Sequence, residues 1–76
     1  MPPYTKRLHM IEELTRRIES GEYPSGAKLP SGKQLATEFG VSMMVVRQAV
    51  DWLKARGMAE GVPGKGVYVV GPEKND

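Results

Sequence analysis

The stretch Leu35-Ala36-Thr37-Glu38-Phe39-Gly40-Val41-Ser42-Met43-Met44-Val45-Val46-Arg47-Gln48-Ala49-Val50 decides the fold. Its pivot is Phe39-Gly40-Val41-Ser42. Glycine enters the left-handed backbone region without a Cβ clash, so Gly40 can end one helix and reverse the chain within about three residues. Val41 falls in the turn, where it can plug the space between two helices. Ser42 offers an oxygen to the free N–H groups of the next helix. From there Val46, Ala49, Val50 and Leu53 recur at i, i+3, i+4, i+7, an apolar stripe on a helix running to about Arg56. Lys54 and Arg56 suit the negative end of that helix, and Gly57 is placed to cap it. Upstream, Ser31 and Gln34 fit a capping box. Leu35, Ala36 and Phe39 form the apolar face of the short helix it opens. Two short helices joined by a glycine turn predict a helix-turn-helix.

Working outward, Leu8, Ile11, Leu14 (with Thr15) and Ile18 predict an amphipathic helix over Tyr4–Ser20, capped by Gly21. The connection Gly21-Glu22-Tyr23-Pro24-Ser25-Gly26-Ala27-Lys28-Leu29-Pro30 follows, with Tyr23 and Leu29 as anchors and a very short strand at Lys28-Leu29. Downstream, 58–62 and 67–70 have β character and flank Pro63-Gly64-Lys65-Gly66, which reads as a hairpin. The expected fold is mainly α with a small β wing: three helices followed by a β-hairpin, a winged helix-turn-helix. It occupies 1–76 as a single domain, with a core at about 4–70 and a frayed tail at 71–76.

Composition narrows the functional classes. A chain of 76 residues buries only ~60% of its unfolded surface and has no room for a second domain. An effector pocket of the usual ~300–1,000 Å³ is not expected, nor any cofactor. There is no Cys and one His, so disulfides and thiolate metal sites are excluded and no metal site is expected. No apolar run reaches membrane-spanning length and the N-terminus lacks a secretory h-region, so a cytoplasmic protein is expected. Adjacent Glu12 and Glu13 splay apart on a helix, Ser and His lack a positioned acid, and Gly64-Lys65-Gly66 lacks the setting of a phosphate loop, so no enzyme is expected. Residues 28–65 carry a net +3 and the remainder −1. That bias permits a nucleic-acid partner and also fits ordinary surface scatter.

The candidate residues follow from the expected geometry. In a helix-turn-helix the start of the second helix reaches base edges in the major groove. Off the predicted core stripe there lie Met43, Met44, Val45, Arg47, Gln48 and Asp51, behind the cap Ser42. Arg47 can pair bidentately with guanine and Gln48 with adenine. Met43, Met44 and Val45 can make only apolar contacts, for example with thymine methyls, and the methionines can equally serve as partial core. Ser31 and Lys33, at a helix start, can hold phosphate, although Ser31 is first of all a cap. Gly64, Lys65 and Gly66 form an unencumbered wing tip. Lys6 and Arg7 can touch phosphate, whereas Arg16 and Arg17 fit a solvated face with Glu12, Glu13 and Glu19. His9 reads as a surface residue, and Trp52 as packed against the hairpin or the first helix.

An ordered series carries a family resemblance: Tyr4, Ile11, Ile18, Gly21-x-Tyr23-Pro24-x-Gly26, Leu29-Pro30-Ser31, Leu35-Ala36, Phe39-Gly40-Val41-Ser42, Val46-Arg47-x-Ala49-Val50, Leu53, Gly57 and Gly64-x-Gly66-Val67-Tyr68-Val69. Over about residues 4–70 the chain resembles the N-terminal winged-helix domain of GntR-type bacterial transcription regulators. The resemblance implies sequence-specific binding of double-stranded DNA at a palindromic operator, as a homodimer, with transcription controlled by repression. It implies a DNA-contacting cation at Lys33, a recognition helix begun by Ser42, Met43, Met44, Val45 and Arg47, and a wing tip of Pro63, Gly64 and Lys65 at the minor groove. Family members usually add a C-terminal effector domain, and this chain ends just after the wing. It is expected to be an isolated DNA-binding domain or a very small regulator, with no effector site of its own. Three positions depart from the family pattern: Gly32 replaces a usual Glu, Met43 a usual Arg, and Met44 with Val45 the usual Thr residues. The alternative is a protein-interaction winged helix that uses the Met43-Met44-Val45 surface as an adaptable apolar patch.

Overall fold

In the computed structural model, which describes residues 3–71, helices α1 (Pro3–Glu19), α2 (Gly32–Phe39) and α3 (Met43–Ala55) precede strands β1 (Ala59–Val62) and β2 (Gly66–Val69). From residue 72 onward the expected frayed tail lies outside the described residues. Helix α1 begins at proline, whose fixed φ and missing N–H suit a first helical position. It buries Met10, Ile11, Leu14 and Ile18. The expected stripe needs one correction here: Leu8 is 43% exposed, and fully buried Met10 takes its part. At about 100° per residue, Met10 lies about 40° from Leu14 around the helix and Leu8 about 120°.

The turn residues act as their types dictate. The Gln34 N–H donates to Ser31 Oγ (3.1 Å) while the Ser31 N–H donates to Gln34 Oε1 (2.9 Å), completing the capping box. Gly40 stands at φ 63°, ψ 41°, and its N–H donates to the Ala36 carbonyl. Any other residue would be strained in that conformation. Two residues on, Ser42 Oγ accepts from the Val45 N–H (3.3 Å) and starts α3. Gly57, at φ 74°, follows the last turn of α3 as expected.

The strands pair antiparallel, Ala59 opposite Val69 and Val62 opposite Gly66. Their turn closes with the Lys65 N–H donating to the Val62 carbonyl (2.9 Å). Pro63 and then Gly64 at φ 75° fit the central positions of a type II turn, whose second position requires positive φ. The Lys28-Leu29 strand is reduced to a single antiparallel bridge, Lys28 with Tyr68. Flanking bonds from Gly26 N–H to Val69 O and Leu29 N–H to Val67 O, both 2.8 Å, fasten this connection along β2.

Met10, Leu14, Leu35 and Leu53 are the largest fully buried side chains, and every buried side chain among the described residues is apolar. Each fully buried side chain of this kind contributes about 1.5–3 kcal/mol relative to exposure. This core joins α1, α2, α3 and the root of the hairpin, since Leu29, Ala59 and Val69 belong to it. It thereby fixes the wing relative to α3. Among the described residues no helix is long and apolar enough to cross a membrane.

Candidate nucleic-acid interface

Residues of α3 sort by angle around the helix. Val46, Ala49 and Leu53 face the core. Met43, Met44, Arg47, Gln48 and Asp51 face outward, with Met43 53% and Met44 70% exposed. Met44 is the more exposed of the two, and Met43 has its covered part against the start of α2. Val45 corrects the expected set, since it is buried at 9%. It shares the α1 side of α3 with Ala49 and Trp52, one and two turns on, and that side is covered.

The outward residues divide into two flanks. On one flank Met43, Arg47, Asp51 and Lys54 line a hollow of about 210 Å³ with Gly32, Leu35, Val46 and Val67. Its floor is apolar, its rim carries charge, and it is smaller than an ordinary ligand pocket. On the other flank Gln48 Oε1 accepts a bond from Arg7 Nη1 (3.1 Å). Arg7, expected beside phosphate, thus steadies a candidate base-reading side chain. Lys6 Nζ donates to the Gly40 carbonyl (3.3 Å), so it braces the turn.

Ser31 is committed to the capping box, and Lys33 is exposed in the first turn of α2. At the wing, Gly64, Lys65 and Gly66 are exposed. Two further lysines escaped the sequence reading. Lys54 Nζ lies 3.1 Å from where a Cβ on Gly61 would sit, and Lys28 Cε 2.7 Å from that of Gly66. Lys54 joins the hollow beside α3 to an open groove along 61–67 that includes Lys65. Its position seven residues after Arg47, two turns along the same face, is the signal that could have revealed it.

Arg16 and Arg17 carry a cluster of ion pairs with Glu13, Glu22 and Glu38. Arg17 is not on a solvated face as expected, since its side chain is only 15% exposed. It pairs with Glu13 (2.8 Å) and Glu38, donates to the Tyr23 hydroxyl (2.6 Å), and lies over the rings of Tyr23 and Phe39. Hydrogen bonds from Arg16 and then Arg17 pull the Glu13 carboxyl from its ordinary 4.5 down to about 2. Lys33, Arg47, Lys54 and Lys65 have no such carboxylate partner among the described residues. His9 is exposed, in edge contact with Phe39. Trp52 borders a groove with Leu8 and Ile11 of α1, and Arg56 stacks on its ring. No group of three metal-ligating side chains occurs among the described residues.

A three-helix unit with an exposed second motif helix and a hairpin tipped by Lys65 defines a winged helix-turn-helix protein. The profile of the bacterial regulatory proteins of the gntR family matches residues 6–69, and the chain belongs to that family. It is 42% identical to the uncharacterized HTH-type transcriptional regulator YieP of Escherichia coli (strain K12), across 87% of this chain and 28% of that protein. It is 36% identical to the HTH-type transcriptional repressor NagR of Bacillus subtilis (strain 168), across 84% of this chain and 26% of that one. The chain spans between 14% and 28% of the length of the curated relatives it matches. Among solved structures, the AraR DNA-binding domain in complex with operator ORR3 matches with a TM-score of 0.81 at 31% identity, covering 86% of this chain and 78% of that one. A GntR family member from Pseudomonas syringae pv. tomato matches with a TM-score of 0.81 at 37% identity, covering 93% and 31%.

Proposed function

We propose that this chain binds double-stranded DNA sequence-specifically and thereby controls transcription, by repression. The observation that carries this is the run of cations without carboxylate partners, Lys33, Arg47, Lys54 and Lys65, along α2, α3 and the wing. A phosphate backbone attracts such a run, and an exposed helix start fits the major groove. Arg47 reads a base edge, with guanine O6 and N7 its best match. Gln48, braced by Arg7, reads the neighbouring base, and Met43 and Met44 make apolar contacts. Lys33 and Lys65 hold phosphates, with the α2 start capped by Ser31 and the α3 start capped by Ser42 turned to the same backbone. The tip Pro63-Gly64-Lys65-Gly66 meets the minor groove. A homodimer on a palindromic operator sets half-sites about 34 Å apart. The protein works in the cytoplasm, beside the chromosome. The AraR complexes with operators and the repressor name of NagR support this reading. The protein-docking alternative is weakened because Val45 is buried and only two methionines remain of its patch.

Selection from a random duplex pool, followed by titration and stoichiometry on the winner, tests the proposal. A palindromic winner bound by two chains, preferred over random duplex by about 10³ or more, is expected. Equal affinity for winner and random duplex at physiological salt overturns it.

A further inference from the structure

Gly32 and Met43 meet at the mouth of the hollow between α2 and α3. A Cβ on Gly32 would lie 2.8 Å from Met43 Cε and 3.8 Å from both Met43 Sδ and Val46 Cγ1. Gly32 is not among the glycines with positive φ. It opens α2, where Ala would serve the backbone better. What a bare residue supplies there is room: the Met43 methyl rests where a side chain at 32 would begin. Met43 is nonetheless half exposed, and Arg47 lines the same hollow. The result is an apolar ledge, set by two residues from different helices, beside the guanidinium proposed to address a base.

We infer that Gly32 and Met43 together form one specificity element, which seats the C5-methyl of a thymine next to the base addressed by Arg47. This rests on the DNA-binding reading above. The major-groove edges present donors and acceptors that a thioether satisfies poorly, and one apolar group, the thymine methyl. A polarizable, unbranched side chain packs against a methyl readily. Gly32 is the positioning residue, since its missing Cβ sets where Met43 lies. Met43 makes the contact.

The test uses the full chain and the tightest duplex enriched from a random pool, with deoxyuridine replacing each thymidine in turn. That exchange removes a methyl and leaves every hydrogen-bonding group. At one thymine per half-site the exchange should weaken binding roughly fourfold, the value of one buried methyl. In Met43→Ala the exchange should have no effect. Gly32→Ala displaces the Met43 side chain and should also abolish the thymine–uracil difference, while its denaturation midpoint stays level or rises. A merely structural role for Gly32 would not move that ratio. The inference is overturned if the winner lacks thymine in its half-sites, if no exchange changes affinity by twofold, or if the methyl effect persists in Met43→Ala. Should no duplex be preferred over random sequence, the DNA-reading proposal itself fails, and this inference with it.

Discussion

Arg17 and Arg47 are both helical arginines, and they stand in opposite conditions. Arg17 is enclosed between α1 and α2 by Glu13, Glu38, a tyrosine hydroxyl and two rings. Arg47 is exposed on α3 with no carboxylate partner among the described residues. The first arrangement spends its charge inside the fold, joining α1 to α2 and to the connection at Tyr23. The second leaves its charge for an anion or base edge from outside. Sequence alone does not show which of them is enclosed, because each adjoins an apolar stripe residue of its helix, Ile18 for Arg17 and Val46 for Arg47. The difference arises from what the tertiary packing brings alongside.

Arg47→Ala should break the bare side of this contrast most visibly. Binding should fall by about 1–3 kcal/mol on the selected duplex, with specificity relaxed at one position. Stability should stay within about 0.5 kcal/mol, because an exposed side chain outside the core is removed. Mobility-shift titrations and urea unfolding read the two quantities. If random duplex loses as much affinity as the selected one, Arg47 does not read bases. Arg17→Met is the mirror experiment. Loss of charge-assisted hydrogen bonds in a mostly covered site should lower stability by about 1–2 kcal/mol in urea. DNA affinity of the folded fraction should be little changed. A stable Arg17→Met protein with impaired binding would reverse the assignment of the two regions.

Smaller effects sharpen the comparison. Lys65→Ala should weaken selected and random duplexes alike and reduce the slope of log affinity against log salt by about 0.9, the value of one phosphate contact. An unchanged slope removes Lys65 from the backbone contacts. Glu13→Gln addresses the enclosed knot through pH. Glu13 titrates at about 2 in the fold against an ordinary 4.5, so its contribution is complete above 4.5 and is lost as pH falls toward 2. Urea midpoints of the parent chain should therefore drop across that window, and those of Glu13→Gln should drop less. Parallel curves would mean the carboxylate's pairs contribute nothing there.

The fold was legible because its punctuation is local. A left-handed cap at Gly40, the Ser42 oxygen that accepts from the Val45 N–H and the Ser31–Gln34 box depend on residues a few positions apart. The hairpin likewise announced itself through Pro63-Gly64. Residues whose placement depends on a neighbouring element were harder to read. Leu8 and Met10 can both be drawn on an apolar stripe, and it is Met10, nearer to Leu14 around the helix, that the fold buries. Val45 falls off the one apolar stripe that periodicity draws on α3, yet the fold buries it. The place of Lys28 beside Gly66 joins segments distant in sequence, so local pattern does not show it, whereas Lys54 carries a signal in its spacing from Arg47. The outward positions Met43, Met44, Arg47 and Gln48 were readable from helical periodicity. The bracing of Gln48 by Arg7 was not.

The bonds from residues 26–29 to β2 carry one more consequence. They occupy the outer rim of that strand, so the two-stranded sheet offers a neighbouring molecule only the β1 rim. An uncovered strand rim invites accidental ribbon-like pairing between copies. Halving the available rim lowers that hazard, and it also stiffens the arm at its shoulder, leaving bending to the last few residues around Gly64.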